Sequence, residues 1–261
     1  MNEGVLVALI GVGGALASAM YSNRVASRSQ KLAAELAERE EERARERTKA
    51  EDIALLVQRY RDPFLRTSFE LQSRMYDIVA QRFMETYYDD ERPDTTEYAR
   101  ENTLYVLAEY LGWSEVVRGE VRFLDLGDNN LNQAWVACQL AVRAVLQSDD
   151  FDPVFQVMHG QQRAIGEVMV MPVEDRSEGG PRQETIGYSE FVRRRRDDPD
   201  FARWFHRLAD DTALLAREPG RHVDRLVALQ HALIDIIDFL DPQGERLPKS
   251  ALRRLELPPG E

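Results

Sequence analysis

The sequence predicts an all-α protein: an N-terminal transmembrane helix that continues into a long charged helical stalk, followed by a single helical-bundle domain. Three observations predict it. Residues Gly4 to Ser22 carry no charge, the stretch from Asn23 to about Val57 has neither Pro nor Gly, and beyond Asp62 apolar residues recur at helical spacing in one segment after another. With 43% hydrophobic and 31% charged residues, 15 Gly and a single Cys, the chain is neither wholly disordered, collagen-like nor disulfide-stapled. A mean hydropathy of −0.47 and only one long uncharged run exclude a polytopic membrane protein. The predicted boundaries are 1–22 for the anchor, 23–61 for the stalk, 62–242 for the body and 243–261 for an irregular C-terminal tail.

The uncharged run Gly4 to Ser22 (GVLVALIGVGGALASAMYS) is long enough, at about 1.5 Å per residue, to cross most of a hydrocarbon core of about 30 Å. Glu3 lies on its short side and Arg24, Arg28 and Lys31 on its long side, so the positive-inside rule places the N-terminus outside and the body in the cytoplasm of a single-pass cell-membrane protein. Ala17-Ser18-Ala19 fits a signal-peptidase site, but the basic residues follow the apolar run rather than precede it, which favours an anchor. The lone Cys138 agrees with a reducing compartment. Gly11, Ala15 and Ala19 lie four apart on one helical face, a spacing that lets two anchors approach closely and self-associate.

The stalk segment Ala37 to Lys49 (AEREEERARERTK) is built from strong helix formers, with Glu35–Arg39 and Glu41–Arg45 at i,i+4 spacing. Its central apolar residues are all alanines, so a sustained a/d repeat is absent. A solvated, salt-bridged helix is expected, whose pairing as a coiled coil would be weak and driven by the anchor. Residues 1–61 carry ten Lys or Arg and nine Asp or Glu, so the net charge of −12 resides in a body of −13. An acidic body disfavours nucleic acid as a partner. The run Arg193 to Arg196 is balanced by Asp197, Asp198 and Asp200 and reads as a solvated helix end.

In the body, Asp62-Pro63 predicts a helix start, with apolar residues from Phe64 to Phe83 and a polar turn at Tyr88 to Pro93. Further helices are expected over about Thr96 to Phe123 and Leu131 to Gln147. Asp152-Pro153 is expected to open a short helix through Met158. Ala164 to Met171 reads as helix ending at Pro172, because a strand there has no evident partner. Asp175 to Thr185 reads as a Gly- and charge-rich loop. Ile186 to Arg194, Pro199 to about Arg217, and Arg221 to Leu240 complete the helices, the last being apolar nearly all round and therefore central.

Catalytic signatures are sparse. The sequence has no phosphate-binding loop, dinucleotide fingerprint, G-x-S-x-G or H-E-x-x-H. One constellation is worth weighing for a metal: His231 and Asp235 four apart, with Asp238 near the same side. Without any Glu-x-x-His partner motif, an i,i+4 hydrogen bond between His231 and Asp235 is the simpler expectation. No cofactor is expected. Arg163 and Glu167 read as a structural pair, Cys138 as a buried small hydrophobe, and Tyr87, Tyr88 and Trp113 as core aromatics that could otherwise line a partner groove.

The strings DPFLRTSFELQSRMYDI, NTLYVLAEYLGW, RFLDLGD, AIGEVM and ALQHALIDIIDFLDP, spread from Asp62 to Pro242, resemble a family of uncharacterised bacterial single-pass membrane proteins with a helical cytoplasmic domain. No activity comes with that resemblance, so it implies no site residue. The expectation is a membrane-tethered interaction, scaffold or sensor protein without catalytic activity, self-associated through the anchor and binding a protein partner still to be identified. The alternative is a membrane-bound metal- or carboxylate-dependent enzyme using His231, Asp235 and Asp238 inside the bundle.

Overall fold

The computed structural model describes residues 36–45, 47, 48, 51, 59–89, 91–120, 129–173 and 182–256. The expected anchor, with Gly11, Ala15 and Ala19, lies outside them, and among the described residues no helix is long and apolar enough to cross a membrane. The chain divides into two units, Met1–Leu55 and Leu56–Glu261. In the first, residues 36–45 are helical and exposed, and Arg45 donates to Glu41 at 2.5 Å, one of the i,i+4 pairs read from the sequence.

The second unit is mostly helical, as expected. Its elements are α1 (59–80), α2 (Phe83–Tyr87), α3 (Pro93–Glu120), α4 (Asn129–Gln147), α5 (His159–Met169), β1 (Val170–Val173), β2 (Arg182–Thr185), α6 (Tyr188–Asp197), α7 (Pro199–Ala202), α8 (His206–Arg217) and α9 (Asp224–Leu240), with 3-10 turns at Arg203–Phe205 and Lys249–Ala251. α3 packs on α5, α6, α8 and the hairpin, while α4 packs on α9. α1 runs antiparallel to α3, because Arg66 meets Glu109 while Arg74 meets Asn102. Phe64 of α1 contacts both Tyr110 of α3 and Trp135 of α4, joining three helices in one core. α9 is buried along most of its length, from Leu226 to Ile237, as its all-round hydrophobicity predicts.

Several local expectations are corrected. Asp62 does not cap α1, which already includes residue 59; its carboxylate pairs with Arg246 at 2.7 Å instead. α1 stops at residue 80, and Arg82 takes a left-handed conformation (φ 52°) before the short α2. Val170–Val173 is a strand, not the end of a helix. Its partner is Arg182–Thr185, inside the segment read as a loop, in antiparallel register from Val170 opposite Thr185 to Val173 opposite Arg182. That partner, Arg-Gln-Glu-Thr, has no apolar alternation to announce it. The base of the hairpin sits tightly on α3: a Cβ at Gly112 would come within 2.6 Å of Thr185 Cγ2, and one at Gly166 of α5 within 2.7 Å of the Leu111 carbonyl.

The solvated reading of the Arg193–Arg196 run is also corrected at one position. Arg193 and Arg194 pair with Glu190, and Arg196 with Glu97. Arg195, however, is half-buried, pairs with buried Glu101 of α3 at 3.2 Å and also donates to the Ala202 carbonyl.

No helix forms at Asp152-Pro153, and one side chain explains why. Arg225, in the first turn of α9, is 1% exposed and carries no ion pair among the described residues. Its five N–H donors go to five backbone carbonyls at 2.5–3.2 Å: Val145 and Leu146 in the last turn of α4, then Ser148, Asp152 and Val154. The carbonyls that a helix over 152–158 would need are thus already engaged. Phe155 adopts φ 56° with its N–H on the Asp211 carboxylate, and Val157 N–H donates to the Leu146 carbonyl. Burial lowers the Arg225 pKa, with Arg207 adding to that and the Asp152 carboxylate opposing it; a guanidinium keeps its charge in proteins. Its charge suits the carbonyl end of α4, and the Phe151 ring lies 5.4 Å from the guanidinium carbon.

Arg225→Ala leaves several buried carbonyls without donors. It is expected to destabilise the body by about 3 kcal/mol or more in urea unfolding, with Arg225→Lys restoring only part because an ammonium lacks the planar fork.

Candidate functional site

Three features of the body carry most of its unusual chemistry. The first contains the residues singled out for a metal. His231, Asp235 and Asp238 do not converge inside the bundle: they lie along the side of α9 that meets the C-terminal tail, and each is engaged by it. His231 Nε2 donates to the Leu255 carbonyl at 2.8 Å, Asp235 accepts from Arg254 at 2.6 Å, and Asp238 pairs with Lys249. The expected bond between His231 and Asp235 is replaced by these tail contacts. Among the described residues, no group of three His, Cys, Asp or Glu is placed to hold a metal ion.

Neighbouring Gln230, fully buried, completes the clasp. Its amide nitrogen donates to Gln72 of α1 and to the Arg253 carbonyl, and its oxygen accepts from Leu255 N–H. Leu255 is buried as a result. The start of the tail is held by Asp241, whose carboxylate accepts three backbone N–H groups from Glu245, Arg246 and Leu247 at 2.9 Å. Burial alone would raise its pKa, but the three donors together hold it below the ordinary 3.8. The polar residues of α9 therefore serve as a fastening for the tail. In the sequence their only signal is that they interrupt an apolar helix.

The second feature is the outward face of α4. In Asn129–Gln147 the only charged residue is Arg143. Trp135, Val142 and Leu146 face the core, and Val136 and Leu140, 50% and 48% exposed, face away from it. Exposed Ala137, Ala141 and Ala144 complete a stripe on that outward side. Met158, 50% exposed, borders a shallow depression with Ala144 at one end of the stripe. On an acidic body this is an uncharged, apolar helix face without a cover among the described residues. Cys138, expected to be buried, is half-buried beside it, and burial raises its thiol pKa. Trp113 is in the core, as core packing of aromatics would have it, whereas Tyr87 is exposed.

The third feature is a pocket of about 60 Å³ between α3, α4 and α5, lined by Glu115, Arg118, Arg143, His159 and Arg163 among others. Arg118 grips Glu115 through both Nε, at 2.9 Å, and a terminal nitrogen. Arg163 is shared between Glu115 at 3.7 Å and Glu167 at 3.0 Å, the latter being the structural pair read from the sequence.

Other displaced carboxylates are structural. Burial raises the Glu109 pKa, against the opposing pull of Arg66 at 3.2 Å. Burial likewise raises Asp211, which accepts from Phe155 N–H in the loop below Arg225.

Comparison of the chain with protein-family models, with curated proteins and with solved structures finds no match.

A carboxylate whose folded pKa is lowered contributes stability above its unfolded value and loses it as pH falls through the folded one. Asp241 should therefore stabilise the clasp at neutral pH and release it below about 3.8. Limited proteolysis at pH 7 is expected to cut the tail of Asp241→Asn faster than that of the native chain, and the difference should vanish at acid pH.

Proposed function

We propose that this chain is a membrane-tethered helical interaction protein, without catalytic activity of its own, whose body meets a second copy of itself through the outward face of α4. The observation that carries the proposal is the uncharged stripe of Val136, Ala137, Leu140, Ala141 and Ala144 on a body of net charge −13. Two such bodies repel each other over most of their surfaces, and the repulsion is least where both faces carry no charge. The stripe also complements itself. About a two-fold axis perpendicular to the helix between residues 138 and 139, Leu140 of one copy falls opposite Ala137 of the other, and Val136 opposite Ala141. Large meets small at each step, as a close-packed isologous interface requires.

Size argues for a tethered contact. A helix of 19 residues is about 28 Å long and about 10 Å wide, a footprint of a few hundred Å². That falls short of the roughly 800 Å² per partner of a stable free dimer. Contact through α4 therefore needs a raised local concentration, which a common anchor at Gly4–Ser22 and a helical stalk would supply. In this proposal the anchor spans the cell membrane once with the body in the cytoplasm, as the flanking charges imply.

The test is cross-linking in native membranes. The full chain carrying Cys138→Ser and Leu140→Cys, treated with a short bismaleimide, is expected to give a covalent dimer, whereas Ser189→Cys on α6 in the same background gives none. Adding Val136→Glu should abolish the Leu140→Cys dimer. A monomer at Leu140→Cys, or equal dimer at Ser189→Cys, would contradict the proposal, and association through the anchor alone would produce the second pattern.

A further inference from the structure

We propose that the pocket between α3, α4 and α5 binds a phosphate-sized oxyanion, either free or as the phosphoryl end of a small ester. Charge is the first argument. Arg118, Arg143, Arg163 and His159 line a pocket whose wall holds one carboxylate, Glu115, in a body that is otherwise strongly acidic. Against Glu115 on the wall and Glu167 beside Arg163, three guanidinium groups still leave the pocket net positive, the reverse of the surrounding surface.

The second argument is incomplete pairing. Arg118 is committed to Glu115 through two nitrogens. Arg163 pairs with Glu167 at 3.0 Å and only loosely with Glu115, at 3.7 Å, so part of its fork is uncommitted. Arg143 is half-buried, is the one charged side chain of α4, and makes no hydrogen bond or ion pair with any described residue. The His159 ring, at the first position of α5, likewise has no partner among the described residues. A ligand between Arg143 and Arg163 could accept from the Arg143 fork, from the Arg163 nitrogens that Glu167 leaves uncommitted and from His159, with the Arg118–Glu115 pair intact. Planar, bidentate donors of this kind suit phosphate oxygens.

Volume is the third argument. About 60 Å³ is room for a few water-sized groups, the scale of one tetrahedral oxyanion. Any larger ester group would extend into solvent. The pocket lies on the flank of α4 away from α9, so it stands on a different observation from the apolar stripe and can fail independently of it.

The test is calorimetric titration of the detergent-solubilised full chain with potassium phosphate and, separately, phenyl phosphate, at constant ionic strength set by potassium chloride. Saturable one-site binding of at least one probe is expected. Arg143→Gln should weaken it by about ten- to a hundredfold, the worth of a hydrogen-bonded charge. Arg143→Lys should recover part, and Arg193→Gln, which alters an exposed arginine paired with Glu190, should change nothing. Tighter phosphate identifies the free anion and tighter phenyl phosphate an ester. The absence of saturable heat with both probes would overturn the proposal. So would unchanged binding in Arg143→Gln, with circular dichroism confirming that the variant is folded.

Discussion

The body depends on a buried guanidinium that has no ion pair among the described residues. Arg225 spends all five of its donors on backbone carbonyls drawn from the end of α4 and the loop after it. The cost of burying a charge is large unless it is fully hydrogen-bonded, and here the fixed dipoles of five peptide groups replace water. The same contacts answer carbonyls at the C-terminal end of α4 that its own backbone leaves without donors. One side chain thus terminates α4, shapes residues 148–154 and fixes the N-terminal turn of α9 against both.

The helices were legible in the sequence where apolar residues recur at helical spacing over many turns. α3, α4 and α9 lie close to their expected ranges because Leu104, Leu107 and Leu111, or Leu226, Leu229 and Leu233, recur at three- and four-residue intervals. What escaped is what depends on distant partners. The loop at 149–158 looked like a helix because Asp152-Pro153 is a good local start, and the donor that overrules it sits some seventy residues later. The strand Arg182–Thr185 escaped because its pairing is carried by backbone and its side chains are polar. Arg195 read as solvated because nothing in its own segment reveals Glu101 on α3.

The candidate site was legible only as an irregularity. Gln230, His231, Asp235 and Asp238 stand out as polar residues in an apolar helix, and metal ligation was one meaning of that pattern. The structure gives another: they fasten the segment Lys249 to Leu255, which has no apolar periodicity and could not be placed by sequence. The outward face of α4 could have been noticed, since a helix with one charge in its length is apolar on both sides. Which side faces out is set by Trp135 and Val142 in the core. The Arg143 pocket needs three helices to assemble and has no linear trace.

The most direct test of this account is native-state hydrogen exchange of the Phe155 and Val157 amides, one bonded to Asp211 and the other to the Leu146 carbonyl. If Arg225 organises this loop, both amides exchange about as slowly as the core of α9 in the native chain and become fast in Arg225→Ala, while protection in α3 persists. Rapid exchange of both amides in the native chain, or equal protection with and without the Arg225 side chain, would contradict it.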